Sequence, residues 1–535
     1  MTDRGTRLAA STLLVLVGAG AVLVVGWPMG RMAVQALAAL TVASTPGLGR
    51  AAAFSTALSL VATVAATSLG LALALTARML PRRGRRLLDA IIGGLLLVPP
   101  YTVAAAVVAV GGRGGPFAAV LPDVYGLPGM ALAMILAHLP LAYLMVRVAW
   151  RGVDPRLVET ARVHGARAGE VFRLVLLPPL RGPLGVTAAL MFISTLSDPS
   201  IPAVLRGRVP TLAHTAYIEV IAWGGEGTAS VIAVLLALPV LPLLLALWRR
   251  PEPSLLMTRW LGHGASPVLV LPPSPLVTVC RVLSVLVLAL VLTLTLTAAA
   301  MTIRAQVELV TPAMGAVIVS TVGYAVVALL IAVPLGVLTA CASQRAGERT
   351  ARGVDLLQVS LLLMPDTTLG IAFFLAYGLE TPTPWGELPA LVGGASLGSG
   401  AVALVVAFVA PAVPLVHLAA RAGQRRAPQA LQETARVLGA GRRRLALQFV
   451  LPHAGALVAA TAAVVTARNV VSVVPIVFLS TPDAPMVASF ALDLLDRASY
   501  EQTFALTGVV AVLLAAVGAP AAMAGAAVIG RRGSL

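Results

Sequence analysis

The chain has 535 residues, 59% of them hydrophobic and only 11% charged, with a mean hydropathy of +0.96. Soluble domains carry about 25% charged residues, so a soluble fold is excluded and an all-α polytopic membrane protein is expected. The net charge of +17 comes from 38 basic residues, all of them arginine; they cluster in short loops between apolar stretches, where membrane topology accounts for them and nucleic-acid binding does not.

A membrane span needs about 20 mostly apolar residues. Such stretches occur at 8–29, 52–77, 88–111, 128–149, 182–203 and 228–248, and again at 278–301, 313–341, 354–378, 397–420, 453–478 and 503–528. That is six spans in each half, twelve in all. The first, from Leu8 to Trp27, is long enough to span and is expected to be a retained helix, not a signal peptide. The loop at 78–86 carries Arg78, Arg82, Arg83, Arg85 and Arg86, whereas the loop at 112–127 carries only Arg113. Glu380, Glu387, Asp483, Asp493 and Asp496 fall in the loops near 379–396 and 480–502. This asymmetry of arginine places both termini on the cytoplasmic side. A proline-rich linker at 251–277 lacks an apolar span and separates a first domain at 1–250 from a second at 278–535. Cys280 and Cys341 fall near expected helix ends, so neither a structural disulfide nor a metal site is expected from them.

One stretch occurs twice. Residues 159–178 read ETARVHGARAGEVFRLVLLP and residues 433–452 read ETARVLGAGRRRLALQFVLP. Seven of the first eight positions agree, both copies close on Leu-Pro, and the offset is 274. A repeat of that period signals two copies of one domain. A second match supports it. RRLLDAIIGGLLLVPP at 85–100 resembles ARGVDLLQVSLLLMPD at 351–366, pairing Asp89 with Asp355 and Pro99 with Pro365 at an offset of 266. With both loop copies on one membrane side, the halves are related by an axis along the membrane normal, the parallel kind of repeat.

Within the loop, Ala161 and Gly165 are four residues apart, as are Ala435 and Gly439, so each pair shares a small-residue helix face. Glu159 and Glu433 are expected in a first helical turn, where the helix dipole favours an acid. Glycine permits a bend between two short helices, and Leu-Pro is expected to break the chain before the next membrane helix.

The pattern of Glu159, Ala161, Gly165, Val175, Leu177 and Pro178, repeated as Glu433, Ala435, Gly439, Phe449, Leu451 and Pro452, resembles the "EAA" loop of binding-protein-dependent ABC importer permeases. The departure is threonine at 160 and 434, where alanine is usual. The resemblance implies a permease subunit with two fused permease domains. It also implies that Glu159, Ala161, Gly165, Glu433, Ala435 and Gly439 form two coupling loops docking on two copies of an ABC ATPase subunit. An extracytoplasmic substrate-binding protein would deliver the solute, in a bacterial cytoplasmic (inner) membrane. The ATPase is not in this chain, because a Walker A loop needs a lysine and there is none. ATP and Mg would therefore sit on the partner ATPase, and this chain is neither an enzyme by itself nor a holder of any cofactor.

Double permeases of this kind resemble importers of ferric iron, thiamine, putrescine and aminoethylphosphonate. The segment 196–220, with Asp198, Pro202, Ala203 and Tyr217, is similar to that of iron-type permeases, which puts ferric iron first, ahead of thiamine, a polyamine or a phosphonate. Membrane-embedded charges are costly and point to function. Asp366 on one expected span, and Arg468 with Asn469 on another, are expected either to pair or to line the translocation path; Asp198 is a further candidate for that path. His138 and His417 read as packing or hydrogen-bonding residues, and no metal site is expected. The alternative reading is a secondary transporter with parallel repeats, coupled to an ion gradient.

Overall fold

The computed structural model describes residues 2–42, 47–113, 115–119, 123–150, 155–249, 274–305, 311–378, 380–383, 386–392, 400–426, 434, 435, 437–439, 441, 451–474 and 476–530. The chain is helical along nearly its whole described length; two three-residue strands, β1 (Thr381–Thr383) and β2 (Gly386–Leu388), pair antiparallel in one loop. Most of the linker, together with Glu433 and Phe449, lies outside the described residues.

In the first half, α1 (Thr2–Ala21) and α2 (Trp27–Val42) join through a π-helical turn. There follow α3 (Leu48–Met79), α4 (Arg82–Gly94), α5 (Pro100–Gly111) and α6 (Leu127–Ala149). Next come α7 (Pro155–Val163), α8 (Leu177–Leu196), α9 (Ser200–Leu205), α10 (Leu212–Ile218), α11 (Glu226–Ala237) and α12 (Val240–Trp248). The second half runs through α13 (Pro275–Arg304), α14 (Pro312–Ala346), α15 (Glu348–Leu363), α16 (Asp366–Tyr377) and α17 (Ala401–Arg426). It closes with α18 (Leu451–Val471), α19 (Ile476–Leu479), α20 (Val487–Asp496) and α21 (Tyr500–Gly530).

Among the described residues, eight helical stretches are long and apolar enough to cross a membrane, or ten if each of two bent pairs counts as one crossing. Two shorter apolar helices, Leu457–Val471 and Tyr500–Ala516, overlap the last two expected spans but are shorter than a crossing, so the described residues fall short of the twelve spans expected.

The expected spans at 88–111 and 354–378 are broken. Between Arg82–Leu97 and Pro100–Gly111 the axis turns by 102°, and between Glu348–Leu363 and Asp366–Tyr377 by 91°. Proline is the cause at both places. It lacks an N–H and disfavours the helical region for the residue before it. Val98 accordingly has ψ 120° and Met364 ψ 133°, with Pro99 and Pro365 extended as well. Both prolines are buried, so the irregular backbone is shielded by protein, as an apolar medium demands.

Lipid offers helices no hydrophobic gain on association, so close approach over small residues and buried polar bonds must hold them. Gly70 on α3 lies against α6: a Cβ there would sit 2.9 Å from the backbone nitrogen of Tyr143. Gly336 on α14 lies against α17, where a Cβ would sit 2.7 Å from Val416 Cβ and 3.0 Å from the backbone nitrogen of His417. The two glycines are 266 positions apart, the same offset as Asp89 and Asp355.

The halves interlock. α1 packs on α14 and α2 on α16, while α13 packs on α3 and α5. Tyr377 Oη donates to the Val24 carbonyl at 3.0 Å, and Ser284 Oγ donates to Thr76 Oγ1 at 2.9 Å. Along the seam, the Thr102 and Thr507 hydroxyls are 2.9 Å apart, and Thr368 Oγ1 donates to the Ala233 carbonyl at 2.8 Å. One continuous apolar core includes residues of both halves.

Gly336→Ala is expected to destabilise the protein by about 1–3 kcal/mol through overpacking. Gly323→Ala in the same helix, where a Cβ meets nothing within 4 Å, is expected to be neutral or stabilising by up to about 1 kcal/mol. Thermal melts of both variants in detergent check the contrast.

Candidate functional site

The first loop copy is built on α7. Its C-terminal end is closed by Gly165, whose φ of +79° only glycine adopts freely. The Gly165 N–H donates to the Arg162 carbonyl at 2.9 Å and the Ala166 N–H to the Ala161 carbonyl at 3.0 Å, the Schellman pattern of a left-handed helix stop. In the second copy Gly439 has φ +78°, and the Leu438 N–H donates to the Thr434 carbonyl at 2.9 Å. Ala161 is half-buried and Ala435 buried, whereas Gly165 and Gly439 are exposed, so each expected small-residue face packs only at its alanine.

Two expectations for the loop need correction. α7 begins at Pro155, so Glu159 falls beyond the first turn and gains little from the helix dipole, which acts within that turn. Leu177-Pro178 does not break the chain either. A single turn at Ala168–Glu170 and a π-helical stretch at Val171–Leu176 run directly into α8, and Ala168–Leu196 forms one apolar stretch. Pro178 lies just past the π-helical stretch, and the helix takes it in without a break.

What projects from the loops was not singled out by the sequence. Val163 is 85% exposed, Val437 87% and Leu438 80%. Val163 and Val437 occupy the same position of the repeat, two residues before the glycine, and that identity was the available signal.

The intramembrane candidates come together only in part. Arg468 Nη2 on α18 lies 3.2 and 3.3 Å from the two carboxylate oxygens of Asp366, the first residue of α16. Both side chains remain more than a third exposed, at 39% and 36%, so the pair is not sealed into the packing. Asn469 is buried, and its Nδ2 has no hydrogen-bond partner among the described residues. Asp198 follows the end of α8. Its Oδ1 accepts from the Ser200 N–H at 2.8 Å and the Ser200 hydroxyl at 2.6 Å. Its Oδ2 is unpartnered among the described residues, and the side chain lines a small cavity with Ser55, Ser59, Thr195 and Thr211. Asp198 is not bonded to the Asp366–Arg468 pair. It is the chain neighbour of Ser197, whose Oγ accepts from the Thr367 N–H at 3.1 Å and whose carbonyl accepts from the Thr367 hydroxyl. Asp198 and Asp366 thus flank one contact between the halves.

His138 is buried, with Nδ1 2.9 Å from the Met134 carbonyl and Nε2 3.1 Å from Ser194 Oγ. Among the described residues no group of three or more His, Cys, Asp or Glu is placed to hold a metal ion.

A further constellation appears in both halves. Asp89 on α4 accepts from Tyr143 Oη at 2.5 Å and from Arg147 Nε and Nη2 at 3.1 and 2.8 Å, both partners being on α6. Asp355 on α15 faces His417 Nε2 at 2.9 Å and accepts from Arg421 Nε and Nη2 at 3.2 and 3.3 Å, both partners being on α17. The sequence aligns the two aspartates. Tyr143 with His417, and Arg147 with Arg421, are 274 apart, the offset of the loop repeat, so the pairing was visible only to a search at two offsets.

The family described as "Binding-protein-dependent transport system inner membrane component" matches this chain at residues 66–251 and again at 332–531. The putative ferric transport system permease protein FbpB 1 of Haemophilus influenzae is 29% identical over 171 residues, which are 29% of this chain and 26% of that protein. The molybdenum transport system permease protein ModB of Escherichia coli K12 is 28% identical over 176 residues, 31% of this chain and 77% of that protein. The match thus spans only about a quarter of the ferric relative, at 26%.

Reversing one charge, by Asp366→Arg or Arg468→Asp, is expected to lower the melting temperature by placing like charges in contact. The double exchange is expected to recover about half of the loss or more, as for directly coupled residues. A double-mutant cycle in thermal melts measures it, and additive losses would show that the two do not interact.

Proposed function

This chain belongs to the family of binding-protein-dependent transport system inner membrane components, and from that premise we propose that it is the membrane-spanning permease subunit of an ATP-driven importer. It fuses two permease domains, 1–250 and 278–535, of six spans each, as the product of an internal duplication, in a bacterial inner membrane. The observation that carries this reading is the family match on two separate stretches, 66–251 and 332–531. The repeated order of elements supports it. A bent pair, a long helix, a loop ending on a left-handed glycine and a further long helix follow one another in both halves.

Each loop is a docking point for one ATPase subunit. The exposed Val163, and Val437 with Leu438, are apolar knobs suited to a groove on a partner, since exposed apolar groups rimmed by polar ones mark interaction sites. Glu159, Arg162 and Arg167 are the exposed charges around the first knob. ATP and Mg belong to the partner, and a chain without lysine has no Walker A loop. ATP-driven closure of the ATPase pair moves the loops, and the halves rock apart along their seam to receive solute from an extracytoplasmic binding protein. Asp198, Asp366, Arg468 and Asn469 line or border that path.

The cargo is a small solute. The ferric relative and the segment around Asp198 favour ferric iron, ahead of thiamine, a polyamine or a phosphonate. The molybdenum relative, at nearly the same identity, adds molybdenum to that series.

Val163→Asp combined with Val437→Asp is expected to leave the chain folded and to reduce the co-purified ATPase by about tenfold or more, as for loss of a buried apolar anchor. Quantifying the ATPase per chain after affinity purification checks this. Full uptake by the chain alone in ATP-free vesicles would overturn the importer reading in favour of a secondary transporter.

A further inference from the structure

We propose that the Asp89–Arg147 and Asp355–Arg421 clamps are the links that carry movement of the docking loops to the bent helices, and that the second half is the more tightly linked of the two. This rests on the reading of the loops as ATPase docking points.

Each clamp stands at a mechanical junction. Arg147 lies in the last turn of α6, just before the first loop, and Arg421 lies in the final turns of α17, just before the second. Their carboxylate partners lie on α4 and α15, the arms that precede the 102° and 91° bends. In both clamps two guanidinium nitrogens meet the carboxylate, a fork that fixes orientation as well as distance. Gly70 and Gly336 bring the neighbouring long helix within contact of Tyr143 and His417, the other members of the clamps. A push along α6 or α17 therefore reaches α4 or α15 without slack.

Beyond the bends lie α5 and α16, and these form the seam. Thr102 on α5 meets Thr507, while Thr367 and Thr368 on α16 meet Ser197 and the Ala233 carbonyl. The route from loop to seam is continuous in each half: α6, α4 and α5 in the first, α17, α15 and α16 in the second. Packed helices with discrete hydrogen-bonded contacts are the kind of network through which coupling travels.

The first clamp has the shorter bonds, but the halves differ in how deeply the route is buried and in how many ties hold it. Asp355 and Arg421 are 2% and 7% exposed, against 36% and 15% for Asp89 and Arg147. His417 adds a second contact by placing Nδ1 3.0 Å from Thr339 Oγ1. The Asp366–Arg468 pair is a further tie, joining α16 to α18, the helix that leaves the second loop. Both helices flanking that loop are thus ion-paired to the same bent pair, one to each arm. At the matching offsets the first half has Pro100 and Ser194, which carry no charge, and Ser194 instead faces His138.

The test uses the full chain, with Cys280 and Cys341 replaced by Ser, in complex with its ATPase in nanodiscs. Nitroxides on Trp223→Cys and Val402→Cys, both exposed positions in different halves, report the distance across the seam with and without ATP plus vanadate. Asp355→Asn is expected to shrink the nucleotide-dependent change by about fivefold or more, and Asp89→Asn by about twofold. ATPase per chain should stay at the wild-type value in both. His417→Phe, which removes one contact and keeps the ion pair, is expected to give an intermediate loss, so the proposal remains testable if Asp355→Asn does not fold. A wild-type distance change in His417→Phe and Asp89→Asn would overturn the proposal, as would equal losses from Asp89→Asn and Asp355→Asn. Loss of ATPase from the variants would also overturn it, by making the clamps part of the docking surface. A wild-type chain that retains no ATPase would overturn the docking reading itself.

Discussion

The close approach of α3 to α6 at Gly70, and of α14 to α17 at Gly336, is the constraint on which the rest of the structure depends. In lipid, apolar side chains gain nothing by leaving the solvent for one another, so helices adhere where backbones come close and polar groups pair. The glycines set the distance, and the distance sets everything on the facing helix. Tyr143 and Arg147 face Asp89 because α6 is seated against α3, and His417 and Arg421 face Asp355 because α17 is seated against α14. A Cβ at either glycine would collide with backbone, which cannot swing away.

The second determinant is proline. A peptide chain in an apolar medium has to satisfy its own backbone, and it tolerates irregular stretches only where protein covers them. Pro99 and Pro365 meet that condition by being buried, and each turns what would be one crossing into two arms at about a right angle. One arm carries the clamp aspartate and the other carries the seam threonine. The bends therefore place one element in contact both with the helix that leads into the repeated loop and with the other half. The crossed packing of α1 and α2 on the second half, and of α13 on the first, ties the halves together across that seam.

The same framework carries different chemistry in its two copies. Where the first half has Tyr143, Pro100 and Ser194, the second has His417, Asp366 and Arg468. The second half therefore holds more charge inside the helical bundle, more of it paired. Burying an ion pair yields little stability on balance, yet breaking one is costly, so such pairs hold geometry better than they add stability. A transporter whose two halves are fused in one chain is free to differ between them.

Much was legible in the sequence because the deciding properties are local. Twenty apolar residues in a row are a helix wherever they lie, proline before a helix forbids an N–H bond, and glycine alone turns freely into the left-handed region. The positions of the apolar stretches, the loop copies around Gly165 and Gly439, and the cost of Asp366 and Arg468 all follow from such properties, whereas the breaks at Pro99 and Pro365 fall inside the expected spans 88–111 and 354–378 and were not anticipated there. The dipole role given to Glu159 and the break expected at Leu177-Pro178 did not hold, because α7 begins at Pro155 and a π-helical stretch carries the chain straight into α8. Tertiary structure alone decided that Arg468 meets Asp366, that Asp89 is held by Tyr143 and Arg147, that Val163 and Val437 project, and that α1 and α2 lie on the second half. These are relations between residues tens to hundreds of positions apart, and a partner is chosen by which helices the small residues allow to touch, which no single stretch of sequence contains.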